Sequence, residues 1–291
     1  MKIILFSRAD TALHREDIDE IFAAIDRHGF DFVINSEFAD SIRTLSGRTF
    51  STEQTYGDSV GDIPAESVMV CYGGDGTLLE GVRRLDGRDY PVAGINSGRL
   101  GFLALASRSE IANVFRSIAE GSLHLQSRTM LRVEGKIGGH AHELFALNEV
   151  SVQRLGATMI SIEAEIDGEK VSTYNGDGII VSTPTGSTAY SLSAGGPIIA
   201  PTCPSMVLTP LSPHNLTMRP IVMADSAEIV LHVHTRGNAA SISIDNRTFQ
   251  IADHTVLTVK KAARRISLAV PHNISFYDTL RDKMMWGVDA R

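Results

Sequence analysis

Basic residues are in short supply. The 291 residues carry 27 Lys and Arg against 34 Asp and Glu, a formal charge of −7, and no cationic run stands out. Nucleic-acid binding needs a basic face, so a polynucleotide partner is not expected. Cysteine is scarcer still. Cys71 and Cys203 lie far apart in apolar or loop contexts, which leaves no disulfide framework and fits a reducing, cytoplasmic compartment. No apolar run approaches the roughly 18 residues of a transmembrane helix, so no membrane partner is expected. The opening MKIILFSRAD lacks a cleavable signal pattern and reads as a first strand. Two common phosphate loops are missing as well. There is no G-x-x-x-x-G-K-[ST], and G-x-G-x-x-G fails because Leu79 stands where the third glycine belongs after Gly74 and Gly76. Without a G-x-S-x-G, a hydrolase elbow is unsupported.

Glycine, by contrast, is abundant at 25 residues and clustered, the first sign of backbone loops that hold phosphate without net positive charge. The first third alternates strand-like and helix-like segments. Lys2–Ser7 and Ser67–Tyr72 are compact apolar runs suited to buried parallel strands, as are Phe32–Ile34 and Pro91–Ile95. Ile18, Ile21, Phe22 and Ile25 have helical spacing ahead of Gly29, and Leu78, Leu79, Val82 and Leu85 repeat it. Gly47–Asp62 reads as an exposed loop. From about Met130, short β segments separated by turns such as Asp167-Gly168 and Arg236-Gly237-Asn238 replace the helices until Phe276–Trp286.

The expected fold is therefore an α/β N-terminal domain with a parallel sheet, an all-β sandwich-like C-terminal domain, and a final C-terminal helix. The boundaries read as 1–125, 126–270 and 271–291, with the last helix packing back on the first domain.

The sharpest motif is Gly73-Gly74-Asp75-Gly76-Thr77 at the end of a buried strand. Its glycines permit a tight turn and close approach to a ligand, and the amides of Gly76 and Thr77 are placed to open a helix that favours anions. Asp75 then projects from the carboxyl end of a parallel strand, where open α/β sheets bind ligands. A carboxylate beside phosphates is costly unless it accepts a proton or ligates a metal; the plainer alternative is a helix cap. A second cluster, Gly94-Ile95-Asn96-Ser97-Gly98-Arg99-Leu100-Gly101-Phe102, follows the next strand and belongs on the same sheet edge.

In the β-rich half, Asn148 and Glu149 interrupt an apolar strand run, pointing by period 2 to opposite faces, and could read a ribose hydroxyl and an adenine edge. Asn175–Pro197 is long and poor in bulky residues. There Ser187 or Thr188 is placed to cap a helix starting near Ala189, and Asp177 could accept bonds from a ribose or purine amine. His232 and His234 share one face of a strand with no third ligand evident, and read as surface histidines; His140 and His142 read as solvated. No side-chain cluster for a metal is apparent.

Together these motifs resemble the NAD kinase family: GGDGT at 73–77, GINSGRLGFL at 94–103, LNEVSV at 147–152, DGIIVSTPTGSTAYSLSAGGP at 177–197, PHNLTMRPIV at 213–222 and YDTLRDKMMWG at 277–287, in the family's order. GGDGT alone is shared in related form by phosphofructokinases and diacylglycerol kinases; the combination with NE and TPTGSTAY is specific. The resemblance implies ATP-dependent phosphorylation of the adenosine-ribose 2′-hydroxyl of NAD to NADP, with a divalent ion, Mg²⁺, accompanying ATP, in a homo-oligomer (dimer or tetramer) whose interface completes the NAD site.

Residue by residue, it implies Asp75 as catalytic aspartate and NAD contact, with Gly76, Asn148, Glu149, Asp177, Thr188, Ala189, Tyr190, Ser191, Leu192 and Ser193 also contacting NAD, and Gly73, Gly74 and Thr77 in the phosphate loop. Asp245 and Arg247 are further candidates. Here the chain departs from the family, carrying Asp245-Asn246-Arg247 where Asp-Gly-Gln or Asp-Ser-Gln is usual, and Asn175-Gly176 where some members place a basic residue before Asp177. Rival readings are a lipid or sugar hydroxyl kinase sharing GGDGT and a non-catalytic NAD(P)-sensing module.

Overall fold

The computed structural model describes residues 1–98, 101–235, 239–271 and 274–285. The chain divides into two compact units, residues 1–127 with 266–291, and residues 128–265.

The first unit grows from apolar strands too short and too continuously hydrophobic to face water on either side. Its elements are β1 (Lys2–Phe6), α1 (Arg15–His28), β2 (Asp31–Asn35), α2 (Ser36–Ser46), β3 (Thr55–Tyr56), β4 (Val68–Tyr72), α3 (Asp75–Arg84), β5 (Val92–Asn96), β6 (Ala106–Ser107) and α4 (Ile111–Ala119). The strands pair in parallel in the order β3-β2-β1-β4-β5-β6. Helix α1 buries Ile18, Ile21, Phe22 and Ile25, and Gly29 ends it in the left-handed conformation at φ 65°. Two helices go beyond the sequence expectation. In α2, Asn35 caps the start by accepting from the Glu37 amide at 3.1 Å, but only Phe38, Ala39 and Ile42 are buried. In α4, Ile111, Phe115 and Ile118 are buried on one face of nine residues. The loop expected over 47–62 contains a 3₁₀ turn at Thr52–Gln54 and the edge strand β3.

The second unit contains most of β7 (His124–Ile137), β8 (His140–Ala146), β9 (Glu149–Arg154), β10 (Ile160–Ile166), β11 (Glu169–Gly176), β12 (Gly178–Ser182), α5 (Tyr190–Ser193), β13 (Ser205–Leu211), β14 (Ile221–Ala224), β15 (Ile229–Thr235), β16 (Ala239–Ile244), β17 (Arg247–Ala252) and most of β18 (Val256–Val270). One antiparallel sheet runs β14-β13-β12-β9-β16-β17. Facing it, β11-β10-β15-β18 continues beside the β7–β8 hairpin. Alternate residues of both sheets, Val150, Val152 and Ile242 on one side and Ile162, Leu231 and Leu257 on the other, are fully buried in a single core. This is the expected sandwich.

The end of β18 belongs to the first unit, where Leu268 and Ala269 pair in parallel with Val92 and Ala93 of β5. Helix α6 (Phe276–Met284) follows, with Ser275 accepting from the Asp278 amide at 3.1 Å and Thr279 and Leu280 buried. The expected helix end at Trp286, the Arg236-Gly237-Asn238 turn and Arg99-Leu100 lie outside the described residues. Both cysteines are free thiols, Cys71 buried and Cys203 exposed. Among the described residues, no helix is long and apolar enough to cross a membrane.

Candidate functional site

In the first unit, β1 is flanked by β2 and β4, so the chain's crossovers leave it in opposite directions and the carboxyl ends of β4 and β5 open beside this switch point. Both glycine clusters stand there. Gly73 follows β4 at φ 149°, and a Cβ on it would come within 2.3 Å of the Thr77 hydroxyl. Its amide bonds Ile95 O at 2.9 Å, tying the first loop to the strand that feeds the second.

Helix α3 starts at Asp75 with Gly74 as its cap, one residue earlier than the sequence suggests. Thr77 N donates to Gly74 O at 2.9 Å, so its amide is used inside the turn, and those of Asp75 and Gly76 are the first-turn donors available to an anion. That corrects the expected pairing of Gly76 and Thr77.

Asp75 is more than a cap. Its carboxylate accepts from Phe102 N at 2.8 Å and from Leu103 N and Ala104 N at 3.0 Å each. The second loop therefore closes around the aspartate, so closely that a Cβ on Gly101 would fall 1.8 Å from Asp75 Oδ1. A carboxylate offers about four acceptor positions; three are taken, and one remains for another donor.

The second unit assembles its own constellation. The apparent strand run through Leu147–Val152 is broken: β8 ends at Ala146 and β9 begins at Glu149. Asn148 is thus not a strand residue, and the opposite-face argument does not hold for it. The break is held by Asp245, whose carboxylate accepts from Leu147 N and Asn148 N at 2.8 Å each and Glu149 N at 3.2 Å. Thr183 braces the other side, its hydroxyl donating to Leu147 O at 2.6 Å and its amide to Asn148 O at 2.9 Å. Gly186 lies so close that a Cβ there would be 2.1 Å from Asn148 O. Inside this frame Asn148 Oδ1 and Glu149 Oε2 are buried without hydrogen-bond partners. Such groups are costly to leave unpaired, so these two acceptors mark where a polar ligand would bond.

Thr185–Thr188 forms a 3₁₀ turn and Tyr190–Ser193 a single helical turn. Neither Ser187 nor Thr188 caps that turn: Ser187 Oγ donates to Pro184 O at 2.7 Å and Thr188 Oγ1 to Thr185 O at 3.3 Å. The loop is fixed through Ser187 Oγ, which also accepts from Ile199 N at 2.9 Å, and through Ser191, 2.9 Å from Thr209 Oγ1. Leu192 and Ser193 follow on the same turn. Tyr190 Oη reaches Gln153 Oε1 at 3.4 Å, and the Tyr190 backbone amide favours the charged form of Glu149.

Sequence reading missed Ser151 and Gln153. In β9, Glu149, Ser151 and Gln153 alternate with core residues Val150 and Val152, forming a polar row about 13 Å long. The E-V-S-V-Q alternation was a readable signal. Asp177 sits at the other end of the same strand pair: β12 runs antiparallel to β9, setting Ser182 opposite Glu149 but Gly178 opposite Gln153. Its carboxylate accepts from Arg154 Nε at 2.5 Å. The structure therefore gathers Asn148, Glu149, Tyr190 and Asp245, and leaves Asp177 at the far end of the row. Arg247 stays near Asp245, which its charge helps keep ionised, with its guanidinium 5.7 Å from the Phe249 ring.

Glu149 and Asp245 keep part of their surfaces near solvent, but their carboxyl groups are desolvated. Burial, then the charge of Asp245, pushes Glu149 up to about 8, and burial pushes Asp245 up to about 6 against the pull of its three amides. Both acids titrate higher when folded than unfolded, so their contribution to stability is full at acid pH and is lost as pH rises through about 6 and then about 8. The thermal midpoint of the ligand-free protein should therefore fall from about pH 4 to about pH 8, and Glu149→Gln should flatten the part of that fall between about pH 6 and pH 8. Parallel midpoint curves for the two proteins would contradict the assignment.

Known sequences match both halves of the chain. The ATP-NAD kinase N-terminal domain model matches residues 19–123 and the ATP-NAD kinase C-terminal domain model residues 147–270. This chain belongs to the ATP-NAD kinase family. Within the family, the NAD kinase of Bacteroides fragilis is 35% identical over 292 residues, covering 100% of both chains. That of Cytophaga hutchinsonii is 36% identical over 277 residues, covering 94% of each. Crystal structures share the fold: yeast NADH kinase complexed with NADH has a TM-score of 0.87 at 23% identity, covering 100% of this chain and 89% of the other. An ATP-bound NAD kinase from Archaeoglobus fulgidus has a TM-score of 0.73 at 22% identity, covering 98% and 99%.

Proposed function

We propose that the chain transfers the γ-phosphoryl group of ATP to the 2′-hydroxyl of the adenosine ribose of NAD, yielding NADP and ADP. One observation carries the reading within this family: Asp75 is held between two glycine loops by three amides with a single acceptor position left over. The ribose oxygen attacks the γ-phosphorus, the bond to the β–γ bridging oxygen breaks, and the hydroxyl proton passes to Asp75. Phosphoryl transfer depends mainly on positioning and charge neutralisation, so a fixed carboxylate that orients the hydroxyl and takes its proton late suffices. The amides of Asp75 and Gly76 at the start of α3 would face phosphate.

Asp75 is the lone carboxylate in either glycine loop. A magnesium ion there would have at most that one protein ligand and take the rest from ATP and water, as magnesium commonly does. When bound, it would neutralise phosphate charge.

Asn148 and Glu149, with their unpaired acceptors, would hold hydroxyl and amine groups of the dinucleotide, and the small residues from Thr188 to Ser193 would leave room for a flat ring. Asp177, separated from Glu149 by the length of β12, fits a dinucleotide shared across a homo-oligomer interface, and the protein is proposed to work in the cytoplasm.

The test is incubation of purified protein with NAD, ATP and Mg²⁺, read by an NADP-specific dehydrogenase. ATP-dependent NADP formation is expected. Turnover of diacylglycerol or sphingoid bases in its place, or NAD binding with no turnover, would refute the proposal.

A further inference from the structure

The sequence shows two histidines on one strand face and no further ligand. The fold supplies the rest from about twenty residues away. Strand β15 pairs antiparallel with β18, His232 standing opposite Val256, and Val233 N donates to Thr255 O at 2.9 Å. This register carries the β17–β18 turn, Asp253-His254, directly alongside His234. The Nδ1 atoms of His234 and His254 face each other at 3.1 Å. Two nitrogens bound to one tetrahedral zinc, each roughly 2.0–2.1 Å from it, lie roughly 3.3 Å apart, so little movement would admit an ion between them.

Asp253 completes the set. Its Oδ1 accepts from Thr235 N at 2.7 Å and His254 N at 2.9 Å, which fixes the carboxylate and leaves Oδ2 toward His254, 3.4 Å from Nε2. One potential ligand atom from each of the three residues lies within 4.8 Å of the others. Nearby, Glu163 is bonded to Lys170, and His232 Nε2 lies 3.3 Å from Glu165.

We propose that His234, Asp253 and His254 form a binding site for a borderline divalent cation of the zinc type, clipping the β17–β18 turn to the end of β15. Two imidazoles and one carboxylate suit zinc, with water in the fourth position; magnesium and calcium favour all-oxygen sets and would not compete. The site is separate from the magnesium that accompanies ATP and serves to stiffen the sandwich rather than to react. It also revises the expectation that side chains assemble no metal cluster.

The test uses the full chain with Cys203→Ser in every arm, so that the exposed thiol cannot bind the metal. After chelator treatment and its removal, Zn²⁺ is titrated in competition with a chromophoric indicator. One ion per chain is expected, with Zn²⁺ raising the thermal midpoint. His254→Asn is the main variant, because His254 has φ 58° and Asn tolerates that left-handed backbone. It should weaken Zn²⁺ by roughly 10–100-fold or more, and His234→Gln should do the same. Failure of the parent to bind Zn²⁺, or equal binding by parent and His254→Asn, would overturn the site.

Discussion

Asp75→Asn should lower the rate of NADP formation by roughly 10²–10⁴-fold, the usual scale for loss of a positioned acid or base. The carboxylate has two tasks that the substitution separates unequally. As a proton acceptor it is lost outright, because a carboxamide does not take a proton at neutral pH. As an anchor for the second glycine loop it is only partly lost. The amide oxygen can still accept from one or two of Phe102, Leu103 and Ala104, while its NH₂ group meets a backbone donor where an acceptor stood. We therefore expect a modest drop in thermal stability, about 1–3 kcal/mol for the unsatisfied donor. NAD binding measured by calorimetry should be largely kept, since most of the dinucleotide contacts are assigned to Asn148, Glu149 and the Thr188–Ser193 turn. NADP formation at the parental rate by a folded, NAD-binding Asp75→Asn protein would remove Asp75 from the chemistry.

The second large effect falls on a residue with no assigned chemistry. Asp245→Ala should destabilise the protein by about 1–3 kcal/mol for each buried backbone donor left unsatisfied, because removing the shared acceptor strands its partners. Three donors, on Leu147, Asn148 and Glu149, lose their acceptor together. The break between β8 and β9 would then relax, and with it the aim of the unpaired Asn148 Oδ1 and Glu149 Oε2, so NAD affinity should fall in the same variant. Asp245→Asn, which keeps an acceptor oxygen, should fall between the parent and Asp245→Ala in both respects. Thermal or urea unfolding of the three proteins decides the matter. A change below about 1 kcal/mol in Asp245→Ala would show that the three amides find water as readily as they find the carboxylate.

These two aspartates do similar structural work in different units. Each presents a carboxylate to three consecutive backbone amides and thereby sets a loop that no regular hydrogen-bond ladder could hold. Neither role is visible in composition or spacing, because the amides that Asp75 meets are 27 to 29 residues away and those of Asp245 are 96 to 98 residues away. The glycines opposite them are explained the same way. Gly101 and Gly186 are required for closeness, against Asp75 and against Asn148, rather than for an unusual φ.

Much of the architecture was legible along the chain. Continuous apolar runs such as Val68–Tyr72 can only be buried on both faces, and the spacing of Ile18, Ile21, Phe22 and Ile25 suits only a helix, so the α/β half followed from periodicity. The alternation in β9 and β16 likewise announced strands with one face in a core. Helices α2 and α4 were hidden because three buried residues in nine or eleven make a weak stripe, and their formation depends on the sheet they cover. The locations of the GGDGT loop, the NE pair and the STAY turn were likewise there to be read, since turns and phosphate loops are built from local residue choice.

What the tertiary structure alone decided was which of those pieces touch. It broke the strand at Asn148, took Ser187 and Thr188 away from a capping role, set Asp177 at the far end of β12, and brought Asp253 and His254 to His234. The physical reason is that strand register is a long-range quantity: hydrogen bonds between β9, β12 and β16, or between β15 and β18, fix side-chain neighbours to within one residue across tens of positions of chain.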